Sequence, residues 1–195
     1  MPDQSAPDQG PLGQTPSQTV GPFFGYALPY DGGPEVAPPW HPSAIRFHGT
    51  VLDGADEPVP DAIIEIWHAD AAGDPVRERG SITRDGRTVT GFGRAAVDRD
   101  GCYAFSTIKP GRMARGSAPY ILVTVFARGV LHHLFTRAYF DDEVEANAAD
   151  PLLGRVDAER RDTLVARADG NGGYRFDIRL QGEGETVFLD YGLPA

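Results

Sequence analysis

The stretch Lys109–Arg128, KPGRMARGSAPYILVTVFAR, joins a turn to a long apolar segment. Pro110 and Gly111 are typical turn residues. Residues 120–126 then form an unbroken run of β-branched, aromatic and aliphatic side chains, which is typical of a strand buried in a sheet. Because the stretch offers almost no metal ligands, it raises the question of whether this chain could hold a metal by itself.

Similar short segments, separated by turn residues, lie on both sides of this stretch. Residues 45–51 and 174–180 alternate apolar and polar side chains, as expected for half-buried strands. The predicted strands are 45–51, 62–67, 90–97, 103–107, 120–127, 131–140, 174–180 and 186–189. Segments 120–127 and 131–140 are predicted to form a hairpin around Arg128. This spacing predicts an all-β fold, either a β-sandwich or a barrel.

The N-terminal part of the chain has a different composition. Residues 1–40 are rich in Pro, Gly, Gln, Ser and Asp and are too polar to bury themselves, so they predict an extended arm whose first dozen residues are disordered. Residues 41–195 form the predicted β-sandwich domain. Within the arm, residues 15–26 carry three aromatic rings, which could pack against this domain or against another subunit.

One segment breaks the β pattern. Residues 141–167 are rich in Ala, Glu, Leu and Arg and contain Pro151 near the middle, which predicts one or two short helices covering an edge or end of the sandwich. Asp141 and Asp142 are predicted to cap the first helix.

The composition excludes several classes of function. A chain of 195 residues suits one domain with an arm, and its net charge of −10 argues against nucleic acid or an anionic membrane as partner. A single cysteine, Cys102, excludes an internal disulfide and fits a reducing compartment, and we predict it to be a small buried residue. With no signal-peptide pattern at the N-terminus, the sequence predicts a soluble, cytoplasmic protein.

No self-sufficient active site can be recognised from spacing. The five histidines show no metal-ligand pattern, and His132 and His133 would point to opposite faces of a strand. The sequence has no CxxC pair and no glycine-rich loop leading from a strand into a helix. Arg128 and Arg137 each lie in or beside an apolar strand, so each needs a carboxylate or a ligand as partner. A salt bridge is the default for both, and Arg128, at the tip of the hairpin, is the better candidate for an anionic ligand.

Several motifs resemble the intradiol ring-cleaving dioxygenase family. They are TPSQTVGPF at 15–23, HGTVLDGADEPVPDAIIEIWHADAAG at 48–73, FARG at 126–129, TRAYFDD at 136–142 and YRFDIRLQGEGETVFLD at 174–190. Within the family, the chain is similar to the α subunits of heteromeric enzymes that cleave protocatechuate with dioxygen to 3-carboxy-cis,cis-muconate in aromatic catabolism, the β-ketoadipate pathway. The resemblance implies a β-sandwich.

The resemblance also implies a non-haem Fe(III) held by two tyrosines and two histidines of the paralogous β subunit, in αβ protomers of a larger oligomer. The matching positions in this chain are Pro75, Met113, Tyr120 and Leu122. Only Tyr120 could supply a hard anionic ligand, so we expect this chain to bind no iron and to be inactive alone.

In the family, a Gly-Pro-aromatic segment and the arginine of FARG approach the iron pocket of the partner. These features correspond to Gly21, Pro22, Phe23 and Arg128, with phenylalanine where tyrosine is common. The expectation is therefore that this chain walls a substrate pocket in its partner. Two alternatives are a non-catalytic β-sandwich binding module and a self-sufficient hydrolase or dioxygenase with an unfamiliar site.

Overall fold

Nine strands form within residues 18–21, 23–77 and 84–191, the part of the chain that the computed structural model describes. Their bounds are β1 Ala44–Leu52, β2 Ile63–Trp67, β3 Phe92–Ala96, β4 Cys102–Ile108, β5 Tyr120–Phe126, β6 Leu134–Phe140, β7 Val165–Ala168, β8 Gly173–Arg175 and β9 Ile178–Arg179. They lie in the order β3-β2-β5-β6-β7-β8-β1-β4, with β9 paired to β1. The predicted all-β fold is confirmed.

The sheet folds into two layers around one core. In the first layer β3, β2, β5 and β6 are antiparallel neighbours, and in the second β8, β1 and β4 lie side by side. The parallel pairing of β6 with β7 joins the layers. Phe47 of β1 and Phe176 stack with their ring centroids 6.1 Å apart, and the buried Ile121 and Val123 belong to the same core. Burial of such side chains contributes about 1.5–3 kcal/mol each to the free energy of folding.

Strand β5 separates the core from a half-buried face. Ile121, Val123 and Val125 point into the core, whereas the side chains at 120, 122, 124 and 126 are half-buried on the other side. The predicted hairpin is confirmed by the antiparallel β5–β6 pairing, although β6 begins only at Leu134. Alternation along one strand therefore places Tyr120 and Leu122 on a single face.

The C-terminal strands are shorter than predicted. The segment predicted at 174–180 is divided into β8 and β9. The strand predicted at 186–189 does not form, because its amides make single bonds to different elements: the Thr186 amide donates to Arg179 O, and the Leu189 amide donates to Phe135 O on another strand. A strand needs a continuous ladder with one neighbour.

Part of the predicted arm is integral to the fold. Pro34 O accepts a hydrogen bond from Ser106 of β4 and the Ala37 amide donates to the same residue, while Gly33 O accepts from the Arg94 amide of β3. Val36 is fully buried. Residues 33–37 thus bridge the two end strands of the sheet, although the sequence analysis assigned them to an arm too polar to be buried. The first dozen residues, predicted to be disordered, lie outside the described residues.

The side chain of Arg84 links the segment 33–37 to β3 through hydrogen bonds. Its guanidinium donates to the carbonyl oxygens of Gly32, Gly33 and Phe92 at 3.0–3.2 Å and to the hydroxyl of Tyr30 at 3.1 Å. A planar group with five donors can satisfy several carbonyls at once.

The helices are short, and two of those that follow β6 in the chain pack beside this strand. They are α1 Phe24–Ala27, α2 Val144–Ala149 and the 3₁₀ helices Leu153–Arg155 and Ala158–Leu164. Within the described ranges, none is long and apolar enough to cross a membrane. The predicted capping roles are wrong: the Asp141 carboxylate accepts from the Ala168 amide, and Asp142 pairs with Lys109. Both acids lie too far before α2, whose N-cap residue is Glu143.

The prediction of a buried Cys102 is also wrong. Cys102 opens β4 directly after the 98–101 turn, and its side chain is exposed. Side chains alternate between faces along a strand, so Tyr103, the next residue, points into the core instead.

His68 is fully buried at the end of β2. Its Nδ1 lies 2.7 Å from Ala69 O and its Nε2 lies 2.5 Å from the hydroxyl of Thr107. Because a carbonyl can only accept, Nδ1 carries a proton, and in the neutral ring Nε2 then accepts from the hydroxyl. Burial lowers the pKa of His68 below its ordinary value.

We therefore expect His68 to make the chain less stable in mild acid. A proton binds the unfolded histidine more readily than the buried one, so the unfolding free energy falls as the pH drops below about 6.5, by up to about 1.4 kcal/mol per pH unit. Urea unfolding at pH 7.5 and 5.5 measures the effect. His68→Gln should abolish this pH-dependent part. Equal pH dependence in both proteins would contradict the assignment; Asp142 and Asp169, whose pKa values are lowered, act only below about pH 4.

Candidate functional site

The tip of the β5–β6 hairpin presents Arg128 to solvent. Its Nε lies 2.9 Å from Asp61 Oδ2, and 62% of the arginine side chain is exposed. The predicted salt bridge of Arg128 is therefore present, but a guanidinium has five donors and this contact uses only one edge of it. The exposed remainder can bind an anion from outside the chain.

The N-terminal arm reaches the same hairpin tip. The amide of Gly129 donates to the hydroxyl of Thr19 at 3.0 Å. Two residues further on, Gly21 has a φ of +76°, a conformation that favours glycine, and Phe23 is 76% exposed. The structure thus brings the arm to the loop of Arg128, as required if both line one surface. Pro22 lies outside the described residues.

The arm divides its aromatic rings between two environments. Phe24 is buried against its own domain, whereas Phe23 and Tyr26 are 76% and 88% exposed. Large exposed aromatic side chains near one another are typical of interaction surfaces. Phe24 thus packs against its own domain, whereas the exposed Phe23 and Tyr26 are the rings that could contact another subunit.

Two turns carry the first pair of positions that match iron ligands in the family. Pro75 closes the 70–75 turn through its bridge to Ala69, and Met113 follows the turn at Gly111. The turns touch through their backbones: the Gly111 amide donates to Asp70 O at 2.8 Å. Neither proline nor a thioether supplies the hard anionic oxygen that Fe(III) prefers.

The second pair lies on the half-buried face of β5. Leu122 is opposite Trp67 of β2 on one side and Arg137 of β6 on the other. The guanidinium carbon of Arg137 lies 4.0 Å from the centre of the Tyr120 ring, a close cation–π contact. A fixed cation against the single phenol opposes binding of a metal cation there.

These residues do not fit a ferric ion. Leucine and proline have no donor atom, and the only phenol of the set faces an arginine. Within residues 18–21, 23–77 and 84–191, no three His, Cys, Asp or Glu side chains are grouped as metal ligands. The described residues at these four positions therefore do not form a ferric site.

Sequence reasoning missed three features of this region. Thr19 lies inside the quoted motif at 15–23 but was given no role, and Asp61 was one of many acids that could have paired with Arg128. The salt bridge predicted for Arg137 is not found among the described residues, where no carboxylate oxygen lies within 4.0 Å of its guanidinium. The hairpin register, which places Leu122 opposite Arg137, was the signal that could have located this arginine.

A two-layered β fold with this arm and hairpin places the chain in a known class. It belongs to the dioxygenase family, whose sequence profile, described as Dioxygenase, matches residues 38–182. Among its relatives, the chain is 46% identical to the protocatechuate 3,4-dioxygenase alpha chain of Burkholderia cepacia and 41% identical to that of Pseudomonas putida. Both alignments cover 92% of this chain and 98% of the relative.

A less similar relative is a beta chain rather than an alpha chain. The protocatechuate 3,4-dioxygenase beta chain of Burkholderia cepacia is 33% identical over 73% of this chain and 66% of the relative. The α and β chains of this enzyme therefore both resemble the chain, and the resemblance to α chains is the closer of the two. Nothing in these similarities favours a non-catalytic binding module.

Solved structures share the fold. The dioxygenase domain of a carbohydrate-binding fusion protein from Streptomyces sp. SirexAA-E superimposes with a TM-score of 0.57 at 26% identity, covering 86% of this chain and 98% of that one. Catechol 1,2-dioxygenase from Acinetobacter sp. ADP1 gives 0.56 at 19% identity, covering 80% and 60% of the two chains. At that identity the second likeness concerns the fold alone.

Proposed function

We propose that this chain acts as the iron-free α subunit of a protocatechuate 3,4-dioxygenase. The observation that carries the proposal is the combination of a missing ligand set with an intact arm and hairpin tip. Pro75, Met113 and Leu122 cannot hold Fe(III), whereas Thr19 still fixes the arm beside an exposed Arg128. Such a chain can add residues to the substrate site of a partner chain, but it cannot form an iron site by itself.

The partner in this proposal is a paralogous β subunit that holds the Fe(III), and the two form αβ protomers in a larger oligomer. The iron supplies activation of the catecholic substrate towards dioxygen, and the product is 3-carboxy-cis,cis-muconate. The similarity to both alpha and beta chains supports the pairing. A single cysteine in 195 residues is consistent with a cytoplasmic location.

This chain contributes a wall of the substrate pocket. Protocatechuate carries a carboxylate at neutral pH, and Arg128 offers exposed N–H donors to such a group. Asp61 holds the Arg128 side chain at the tip through its 2.9 Å contact, which reduces the conformational freedom lost when substrate binds. Gly21, Pro22 and Phe23 form the neighbouring part of the wall, where the glycine lets backbone pass close to the ligand.

We expect Arg128→Ala in the αβ complex to lower kcat/KM for protocatechuate about 10- to 100-fold, since a charge-assisted hydrogen bond contributes about 1.5–3 kcal/mol. Steady-state oxygen consumption measures it. For catechol, which lacks the carboxylate, Arg128→Ala should lower kcat/KM much less. Asp61→Asn, which keeps the guanidinium, should lower kcat/KM for protocatechuate less than Arg128→Ala does.

Arg99→Ala is the matched control, because Arg99, in the turn between β3 and β4, is exposed and makes no ion pair or side-chain hydrogen bond within the described part of the chain. An unchanged kcat/KM for protocatechuate in Arg128→Ala would refute the role of Arg128. Co-purification with a β-type chain tests the pairing itself: a stable monomer without such a partner would contradict the proposed function.

A further inference from the structure

A small cavity beside β6 contains two arginines that the proposed function does not use. Its volume is about 270 Å³, near the lower limit for small-molecule sites. The lining residues are Ser117, Arg137, Asp150, Pro151, Leu152 and Arg155. None of them belongs to the surface formed by the arm and Arg128.

Arg137, on one wall, has donors without acceptors. Its one described hydrogen bond runs from Nη1 to the hydroxyl of Tyr139 at 3.4 Å, and its buried Nε has no partner among the described residues. The flat face of the guanidinium packs on the Tyr120 ring, which leaves the edge with its N–H groups for another acceptor. Buried polar groups without partners are rare, and a ligand is one of the few explanations for them.

Both carboxylate oxygens of Asp150, the acid in this cavity, already accept hydrogen bonds from other residues. Its Oδ1 accepts from the amides of Leu152 and Leu153 and from the Tyr139 hydroxyl, and its Oδ2 accepts from the Ala118 amide. These four donors satisfy the Asp150 carboxylate without Arg137, so the N–H groups of Arg137 remain available to an anion that enters the cavity.

Arg155 adds a second positive charge from the exposed side. It ends the 3₁₀ helix Leu153–Arg155, is exposed and makes no ion pair or side-chain hydrogen bond within the described part of the chain. Two guanidinium groups at one cavity suit a planar carboxylate, which each can bind through paired N–H donors. Pro151 and Leu152 give the cavity an apolar side that favours an organic anion over an inorganic one.

We propose that Arg137 and Arg155 form a binding site for a small organic carboxylate, separate from the substrate surface at Arg128. The site belongs to this chain alone and requires no metal. A bound carboxylate would accept from the free edge of Arg137, including its buried Nε–H.

Titration of the full chain with 4-fluorobenzoate, followed by ¹⁹F NMR, tests the proposal. We expect saturable binding that Arg137→Gln weakens at least about tenfold, since one edge of paired, charge-assisted hydrogen bonds is lost. Arg155→Gln should also weaken binding, and because Arg155 makes no described side-chain contact, this variant keeps the test valid if Arg137→Gln does not fold. Neutral 4-fluorobenzyl alcohol should not bind saturably.

Two controls define the location and source of the anion. Arg128→Ala and Arg99→Ala should both leave binding to the isolated chain unchanged, and repeating the titration with an αβ complex that carries Arg128→Ala, in which the proposed substrate surface is impaired, should give the same affinity. Loss of binding in the complex would mean that a carboxylate of the partner subunit fills the cavity, which would overturn the proposal of a free ligand. Equal affinity in wild type, Arg137→Gln and Arg155→Gln would overturn it as well.

Discussion

The chain purified alone should cleave no measurable protocatechuate, whereas mixing it with the β-type partner should produce ring cleavage. The reason lies in the ligand-equivalent positions: Pro75 and Leu122 have no donor atoms, Met113 has only a thioether, and Tyr120 faces the Arg137 guanidinium at 4.0 Å. Oxygen uptake and iron content, measured for each chain and for the mixture, give the comparison. We expect essentially all iron to follow the partner.

The control for this experiment is the chain purified after growth in excess iron. It distinguishes a chain that has no iron site from one that received too little iron during expression. One iron per chain, together with the visible absorption band of a tyrosinate bound to Fe(III), would contradict the prediction. Activity of the isolated chain without iron would point instead to the self-sufficient site considered from the sequence.

Asp150→Ala should be among the most destabilising single substitutions in the chain. Asp150 is buried and accepts hydrogen bonds from three backbone amides and one tyrosine hydroxyl. Its removal leaves these donors without acceptors, and we expect the free energy of unfolding to fall by about 3–5 kcal/mol. For a chain of this size that corresponds to a loss of roughly 10 °C in Tm, measurable by circular dichroism.

Asp157→Ala is the matched control, because Asp157 is exposed and makes no side-chain cap at the start of its 3₁₀ helix. It should change the free energy of unfolding by less than about 0.5 kcal/mol. Asp150→Asn should lie between the two, since the amide keeps one acceptor oxygen. Equal stability of Asp150→Ala and Asp157→Ala would show that the buried carboxylate contributes nothing.

The sequence predicted those parts of the fold that depend on local pattern. Alternation and turn residues were sufficient for β1, β2 and the β5–β6 hairpin, because burial of one face forces a period of two. The parallel pairings of β6 with β7 and of β1 with β8 join segments far apart in sequence. No local signal marks such contacts, so the layer arrangement could not be predicted from the residues alone.

Side-chain partners were the least predictable part of the candidate site. The sequence marked Arg128 and Arg137 as cations that need partners, but it could not distinguish the ion pair of the first from the aromatic stacking of the second. Asp141 and Asp142 failed as caps because they precede the N-cap position, Glu143, by two residues and one residue, which changes the amides that each carboxylate can reach. Such outcomes depend on distances of an ångström, which sequence patterns do not encode.

The bridge formed by residues 33–37 has a consequence for assembly. The outer strands of any open sheet expose rows of unpaired amides and carbonyls, on which strands of other molecules can grow. Here Gly33, Pro34 and Ala37 occupy such groups on both β3 and β4, so the chain blocks fibril-like or edge-to-edge growth with its own backbone. Exposed side chains beside the hairpin tip, such as Arg128 and Phe23, are therefore the groups through which the proposed αβ association would select its partner.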